Sequence, residues 1–188
     1  LAKQLSLALV RRELRAKKGR SIKGTGAMRE KIINDLPFSL TGSQSMALSE
    51  IYADLESENR MLRLLQGDVG SGKTIVALLT AAAAIENGHQ VALMAPTEVL
   101  ARQHLESLEE LAGKAGIRLG LLTGREKGKV RKQILLALKE GLIDCLIGTH
   151  ALFQSDVLFK DLAFAIIDEQ HRFGVEQRLA LQAKAGPL

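Results

Sequence analysis

The sequence predicts an α/β fold, a mainly parallel β-sheet flanked by helices with a helical extension at the N-terminus. Three observations carry this. From residue 61 onward short apolar runs alternate with helical patterns; the helical stretches have the length of βαβ crossovers; and the run at 163–167 is apolar throughout, as a strand covered on both faces must be. The expected strands are 61–65, 90–95, 117–122, 144–147 and 163–167, and the helices between the first four are 73–86, 98–111 and 129–139. Gly88 and Gly116 fall where helices should stop, and Thr97, after Pro96, where one should start. Upstream, Thr41 reads as the N-cap of a helix reaching residue 55, with Met46, Ala47, Leu48 and Ile51 on one side. Leu5, Leu9 and the alanines between Ala2 and Ala16 predict a lead helix ending near Gly19, and 19–26 reads as a basic, flexible joint. Two parts are expected: a basic helical lead or linker over 1–36, and a globular domain over 37–188.

Composition narrows the class. A hydrophobic content of 46% in 188 residues is enough for a substantial core, which excludes disorder for most of the chain. The single cysteine, Cys145, allows no internal disulfide, and no Cys and His cluster has metal-ligand spacing, so a reducing, cytoplasmic setting fits. No stretch approaches the ~18 apolar residues of a membrane span, and no signal peptide is visible. The chain starts without methionine and ends at Pro187 and Leu188, and is expected to be a piece of a longer protein. Its net charge of +5 is uneven: residues 1–36 carry ten Lys and Arg against three acidic residues, while 37–188 carry sixteen against eighteen. The basic lead suits a phosphate backbone or, equally, a solvated helix face.

The sequence GDVGSGKT at 67–74 satisfies the pattern GxxxxGK[ST] between an expected strand and an expected helix. Gly67, Gly70 and Gly72 let backbone N–H groups turn inward around phosphate oxygens, with Asp68, Val69 and Ser71 completing the loop. Lys73 is expected on the β- and γ-phosphates, and Thr74 on a Mg²⁺ ion at the positive end of the following helix. Such a loop requires a carboxylate at the end of a buried strand and a base beside it. Asp168 and Glu169, directly after 163–167, supply both: Asp168 would hold the metal shell and Glu169 would orient and polarise the attacking water. Lys73, Asp168 and Glu169 are thus the expected catalytic residues of a Mg²⁺-dependent nucleoside triphosphatase; that the nucleotide is ATP is left to the resemblance that follows. These motifs do not say what the energy drives.

The run Asp168-Glu169-Gln170-His171 resembles the DExH-type box of superfamily 2 helicases. IIDEQHRFGVEQR at 166–178, APTEVLARQH at 95–104, LLTGREKG at 121–128 and GTHALFQ at 148–154 are similar to the branch-migration helicases of that superfamily, in order and across most of the chain. The resemblance implies that 37–188 is the first RecA-like motor domain, cut before its C-terminal end, with Gln170 and His171 sensing the γ-phosphate. It implies that Phe38 and Gln44, in PFSLTGSQ, read adenine, although Thr41 alone would explain the segment as a helix cap. It implies a DNA track of Pro96, Thr97, Glu98, Thr123, Gly124, Gly148, Thr149 and His150; Thr97 as a helix cap and His150 as a packed histidine are the plainer alternatives. The basic loop Arg125, Lys127, Lys129, Arg131 and Lys132, opposed by Glu126, fits a solvated helix start slightly better than a DNA contact. Aromatic residues, at 3%, are too few for base stacking to dominate, which suits a backbone tracker.

The resemblance further implies a monomeric, ATP-dependent DNA helicase that remodels branched DNA, such as stalled forks and Holliday junctions, in recombination and repair. Its second motor domain, with the arginine fingers, and its wedge domain would lie outside these residues. The 188 residues alone would then bind nucleotide weakly and not unwind DNA. Two other readings stand: the translocase that couples transcription to repair, which usually carries a second Glu where this chain has Gln170, and a non-motor ATP-binding switch.

Overall fold

The computed structural model describes residues 19–169; the expected lead helix before Gly19, and Gln170 and His171, lie outside the described residues. Helices α1 (Ala27–Asp35), α2 (Gly42–Glu56) and α3 (Lys73–Ile85) precede strand β1 (Gln90–Met94). Then come α4 (Glu98–Ala115), β2 (Leu119–Leu122), α5 (Gly128–Glu140), β3 (Cys145–Gly148), a 3₁₀ turn (His150–Phe153) and β4 (Leu162–Ile167). The four strands are all parallel in the order β2-β3-β1-β4, with Leu93 of β1 beside Ile147 of β3 and Ile166 of β4. The parallel α/β sheet flanked by helices is therefore as the sequence predicts.

Alternation along the strands divides the interior into two cores. Val91, Leu93, Cys145 and Ile147 face the core filled by α1 to α4. Ala92, Met94, Leu122 and Leu146 face the core closed by Leu138 of α5 and by Ala151 and Leu152 of the 3₁₀ turn. Helix α3 is apolar all round, as a helix enclosed on all sides should be, and buries an unbroken run from Leu78 to Ile85. Gln90 is a buried polar exception whose amide is fully used. Its Nε2 donates to the Leu138 and Ile143 carbonyls, and its Oε1 accepts from the Lys160 and Asp161 N–H groups. It ties the start of β1 to the end of α5 and to the entry of β4. Cys145 lies in this interior as a free thiol, pushed up by burial to about 12, which leaves it unreactive.

Two expectations need correction. Residues 61–65 are not a strand; among the described residues they have no ladder partner. The segment is instead laid against α2, where the Arg63 guanidinium pairs with Glu50 and with Asp54 at 2.6 Å, while Met61 and Leu65 pack onto the core. Nor is 19–26 a flexible joint. Gly19 and Ile22 donate to the Glu58 and Leu55 carbonyls, and Ile22 is buried. Ile32 of α1, fully enclosed, extends the same packing.

Helix α1 begins at Gly26, which has no side chain to cap it. The cap comes from Glu86, just past the end of α3: its carboxylate accepts from the N–H groups of Gly26 and Met28 and pairs with Arg29 at 3.0 Å. The Arg29 guanidinium also lies 4.4 Å from the centre of the Tyr52 ring on α2. Glu86 is 6% exposed and Arg29 15%, so Glu86→Ala would strand a largely buried cation and uncap the helix. A loss of about 3–5 kcal/mol is expected in denaturant unfolding of the domain; a loss under about 1 kcal/mol would contradict this account of how α1 is held.

Candidate active site

Parallel strands send every connection to the next helix out from the same edge of the sheet, and the acidic pair and the expected DNA-track segments gather there. Residues 95–98 follow β1, 123–126 follow β2, 149–150 follow β3, and Asp168 and Glu169 follow β4. Backbone bonds continue past the strand ends: Ala95 donates to the Gly148 carbonyl, and Asp168 to that of Met94 at 2.8 Å. Gly148 permits this closeness, since a Cβ there would stand 2.2 Å from the Leu122 carbonyl oxygen.

The loop at 67–74 enters α3 with Gly70 and Gly72 at φ +81° and +78°, the left-handed region that favours glycine. A side chain at Gly72 would also meet Gln44 Nε2 at 2.3 Å. Lys73 Nζ donates to the Gly67 and Asp68 carbonyls, both at 2.7 Å, which folds the ammonium over the concave side of the loop. Val69 stands fully exposed at the tip. Thr74, the second residue of α3, is beside the lysine at the helix's positive end.

Gln44 is bonded to the loop itself. Its Nε2 donates to the Ser71 carbonyl at 2.9 Å, while its Oε1 accepts from the Thr41 N–H and closes a capping box with the Thr41 hydroxyl. Phe38 is half exposed and lines an open cavity of about 620 Å³ with Ile33, Leu36, Pro37, Leu40 and Ser45. The structure thus joins the PFSLTGSQ segment to the phosphate loop through one amide, a contact that residue spacing alone does not reveal.

Across the edge, Asp168 is held by two bonds. Oδ2 accepts from His104 Nε2 at 2.8 Å, and Oδ1 from the Glu169 N–H at 2.9 Å. The His104 bond keeps the Asp168 carboxyl below the usual carboxylate range against the opposing effect of burial, aided by the Glu169 N–H and the charge of Lys73. Glu169 sits at φ +45°, an uncommon backbone for a residue with a Cβ, which re-aims the chain as it leaves β4.

The loop after β2 docks on α4. Glu126 accepts from the Thr123 N–H and hydroxyl, both at 2.6 Å, and from Arg102 at 2.8 Å; Arg125 pairs with Glu98 at 2.8 Å. Burial raises the Glu126 carboxyl, but the Thr123 and Arg102 bonds outweigh it and hold it low. Thr123 is fully buried and Thr149 nearly so, whereas Gly124 and His150 are exposed. Thr97 caps α4 by accepting from the Leu100 N–H. Of the basic loop, Arg131 is drawn into a forked pair with Asp156. His104 and Arg102 stand inside the APTEVLARQH motif, but their bonds to Asp168 and Glu126, like that from Gln44 to Ser71, are contacts the motifs do not reveal. His104 adjoins the apolar stripe Ala101, Leu105, Leu108 and Ala112 of α4, as do Arg102, Glu106 and Glu109, so position on the helix alone does not single it out.

The groups at this edge suit a nucleoside triphosphate with its metal. A glycine cradle faces a lysine, and Thr74 and Asp168 offer the hard oxygen donors that Mg²⁺ prefers. Among the described residues no group of three His, Cys, Asp or Glu forms a metal cage, and Mg²⁺ bound largely through phosphate and water does not call for one. Fold and site together define an α/β domain of the P-loop class.

A family model described as DEAD/DEAH box helicase matches residues 41–185, and the chain belongs to that family. It is 56% identical over 154 residues to the ATP-dependent DNA helicase RecG of Bacillus subtilis, covering 82% of this chain and 23% of that protein. It is 48% identical over 185 residues to that of Aquifex aeolicus, covering 98% of this chain and 23% of that one. The solved structure of RecG bound to a three-way DNA junction superposes with a TM-score of 0.83 at 46% identity, covering 91% of this chain and 24% of that chain. The branch-migration resemblance in the motifs is thus a resemblance to RecG, and the chain spans about a quarter of the length of these relatives. Among the described residues no helix is long and apolar enough to cross a membrane.

Proposed function

We propose that residues 37–188 belong to the first motor domain of an ATP-driven DNA helicase that remodels branched DNA, with residues 19–36 packed onto it. The observation that carries this is the gathering at one sheet edge of Asp168 and the loops after β1, β2 and β3, in a domain whose glycine loop enfolds the Lys73 ammonium. A site for the triphosphate and a surface for the strand then share the same connections. The similarity to RecG, solved on a three-way junction, supports the branched substrate.

Nucleotide would enter between the phosphate loop and Asp168. The N–H groups of 70–74 and the Lys73 ammonium would bind the phosphates, with Lys73 leaving the Gly67 and Asp68 carbonyls to do so. Thr74 and Asp168 would hold Mg²⁺, which when bound neutralises charge on the β- and γ-phosphates. Glu169 would orient the attacking water and accept its proton. Phe38 would cover the base over the cavity beside it. Gln44 keeps a second amide hydrogen and a second lone pair for adenine while its first ones fix it to Ser71 and Thr41. On the DNA side, Thr97 and Thr123 would act through the backbone segments they shape, because their hydroxyls are engaged by Leu100 and Glu126. The exposed Gly124 and His150 would meet the strand itself.

The test is ATP turnover by the intact protein with forked DNA, linear duplex or no DNA. Turnover should rise most with the fork. Turnover indifferent to DNA would refute the motor and leave the ATP-binding switch; capture of RNA polymerase by the intact protein would point to the transcription-coupled translocase.

A further inference from the structure

His104 does not belong to the phosphate loop or the acidic box, yet it is bonded to the box carboxylate. Its side chain is 14% exposed, and Asp168, its partner, is 30% exposed. An ionised carboxylate only accepts, so the 2.8 Å contact requires the proton on Nε2. The geometry leaves Asp168 little freedom: Oδ2 is fixed by the imidazole, Oδ1 by the Glu169 N–H, and the backbone N–H by the Met94 carbonyl. Each carboxylate oxygen keeps lone-pair capacity for metal-bound water.

His104 also belongs to α4, which starts at the DNA-facing segment. Thr97 caps that helix, Glu98 in its first turn holds Arg125, and Arg102 holds Glu126 of the loop after β2. His104 lies about two turns beyond Thr97, on the side that faces β4. One rigid element therefore has the proposed strand contacts at its start and the proposed metal carboxylate on its flank.

We propose that His104 is a positioning residue for Asp168, and that through it α4 ties the DNA-facing loops to the magnesium shell. The proposal rests on the reading of Asp168 as the metal-shell carboxylate. Partners that orient a metal-binding group typically set metal affinity by ~10–100-fold, without touching the ion.

The experiment measures binding of a fluorescent ADP to the intact protein as Mg²⁺ is titrated, with and without forked DNA. In the wild type, DNA should lower the Mg²⁺ concentration at half-saturation. His104→Leu should raise that concentration about tenfold and remove the effect of DNA. His104→Gln, whose amide N–H reaches about as far as Nε2, should restore both. Thermal melting of each variant separates this from unfolding. If His104→Leu stays within about twofold of wild type, or if His104→Gln is as impaired as a folded His104→Leu, the positioning role is refuted. If DNA has no effect in wild type, or has the same effect in His104→Leu, the link through α4 is refuted. Asp168→Asn distinguishes the underlying reading: should it leave the Mg²⁺ dependence unchanged, Asp168 is not the metal carboxylate and both ideas fall together.

Discussion

Replacing Lys73 by alanine is expected to abolish measurable binding of Mg-ADP and Mg-ATP in calorimetric titration, and to lower turnover of the intact protein by on the order of 10²–10³ or more. The reason is the scarcity of positive charge at the loop. The side chains there are Asp68, Val69, Ser71 and Thr74, so apart from backbone N–H groups the Lys73 ammonium is the charge available to meet three or four phosphate negatives. Lys73 now bonds to the Gly67 and Asp68 carbonyls, and its removal frees two exposed acceptors that water can satisfy. The fold should therefore survive, with a melting temperature close to wild type, because the core beneath the loop, from Val76 to Ile85, does not involve it. Wild-type affinity for ADP in a folded Lys73→Ala protein would remove the phosphate loop from the proposed mechanism.

The fold was legible where the chain carried its own signals. Four strands, the crossover helices α4 and α5, and α3 before them arise from apolar periodicity, with Gly116 ending α4 at φ +83° as a left-handed cap. What was not legible depended on partners distant in sequence. Helix α1 has a glycine N-cap and a weak apolar stripe; its cap and its ion pair come from Glu86, about sixty residues later. The segment 61–65 has the composition of a strand, but a strand also needs a neighbour to pair with, and Arg63 draws it to Glu50 and Asp54 instead. The site shows the same division. GDVGSGKT and the acidic pair could be read from residue type and spacing, because the chemistry needs glycine, lysine and carboxylate whatever surrounds them. The histidine that holds the carboxylate, and the amide that joins Gln44 to Ser71, depend on folding distances that spacing does not encode.

Glu169→Gln should separate binding from hydrolysis. Gln matches Glu in size, and it inherits the same φ of +45° at no greater cost, since the two side chains are alike as far as Cγ. Nucleotide affinity should then stay within a few-fold of wild type, because the phosphates would be held by the loop, Lys73, Thr74 and Asp168. The neutral amide can still orient water but cannot take its proton, and loss of a general base costs ~10²–10⁴ in rate. Single-turnover measurements with the intact protein and forked DNA would isolate that step from product release. The DNA-bound, ATP-loaded state should accumulate as a consequence, and would be seen as slower dissociation from the fork in the presence of ATP. Asp168→Asn should behave differently, losing Mg²⁺-dependent affinity along with turnover, since Asp168 is the proposed metal carboxylate, with its carboxyl held low chiefly by the His104 bond. If Glu169→Gln hydrolysed ATP within about threefold of wild type, the base would have to be sought elsewhere on the same sheet edge. If instead both variants lost affinity equally, Glu169 would belong with Asp168 in the metal shell.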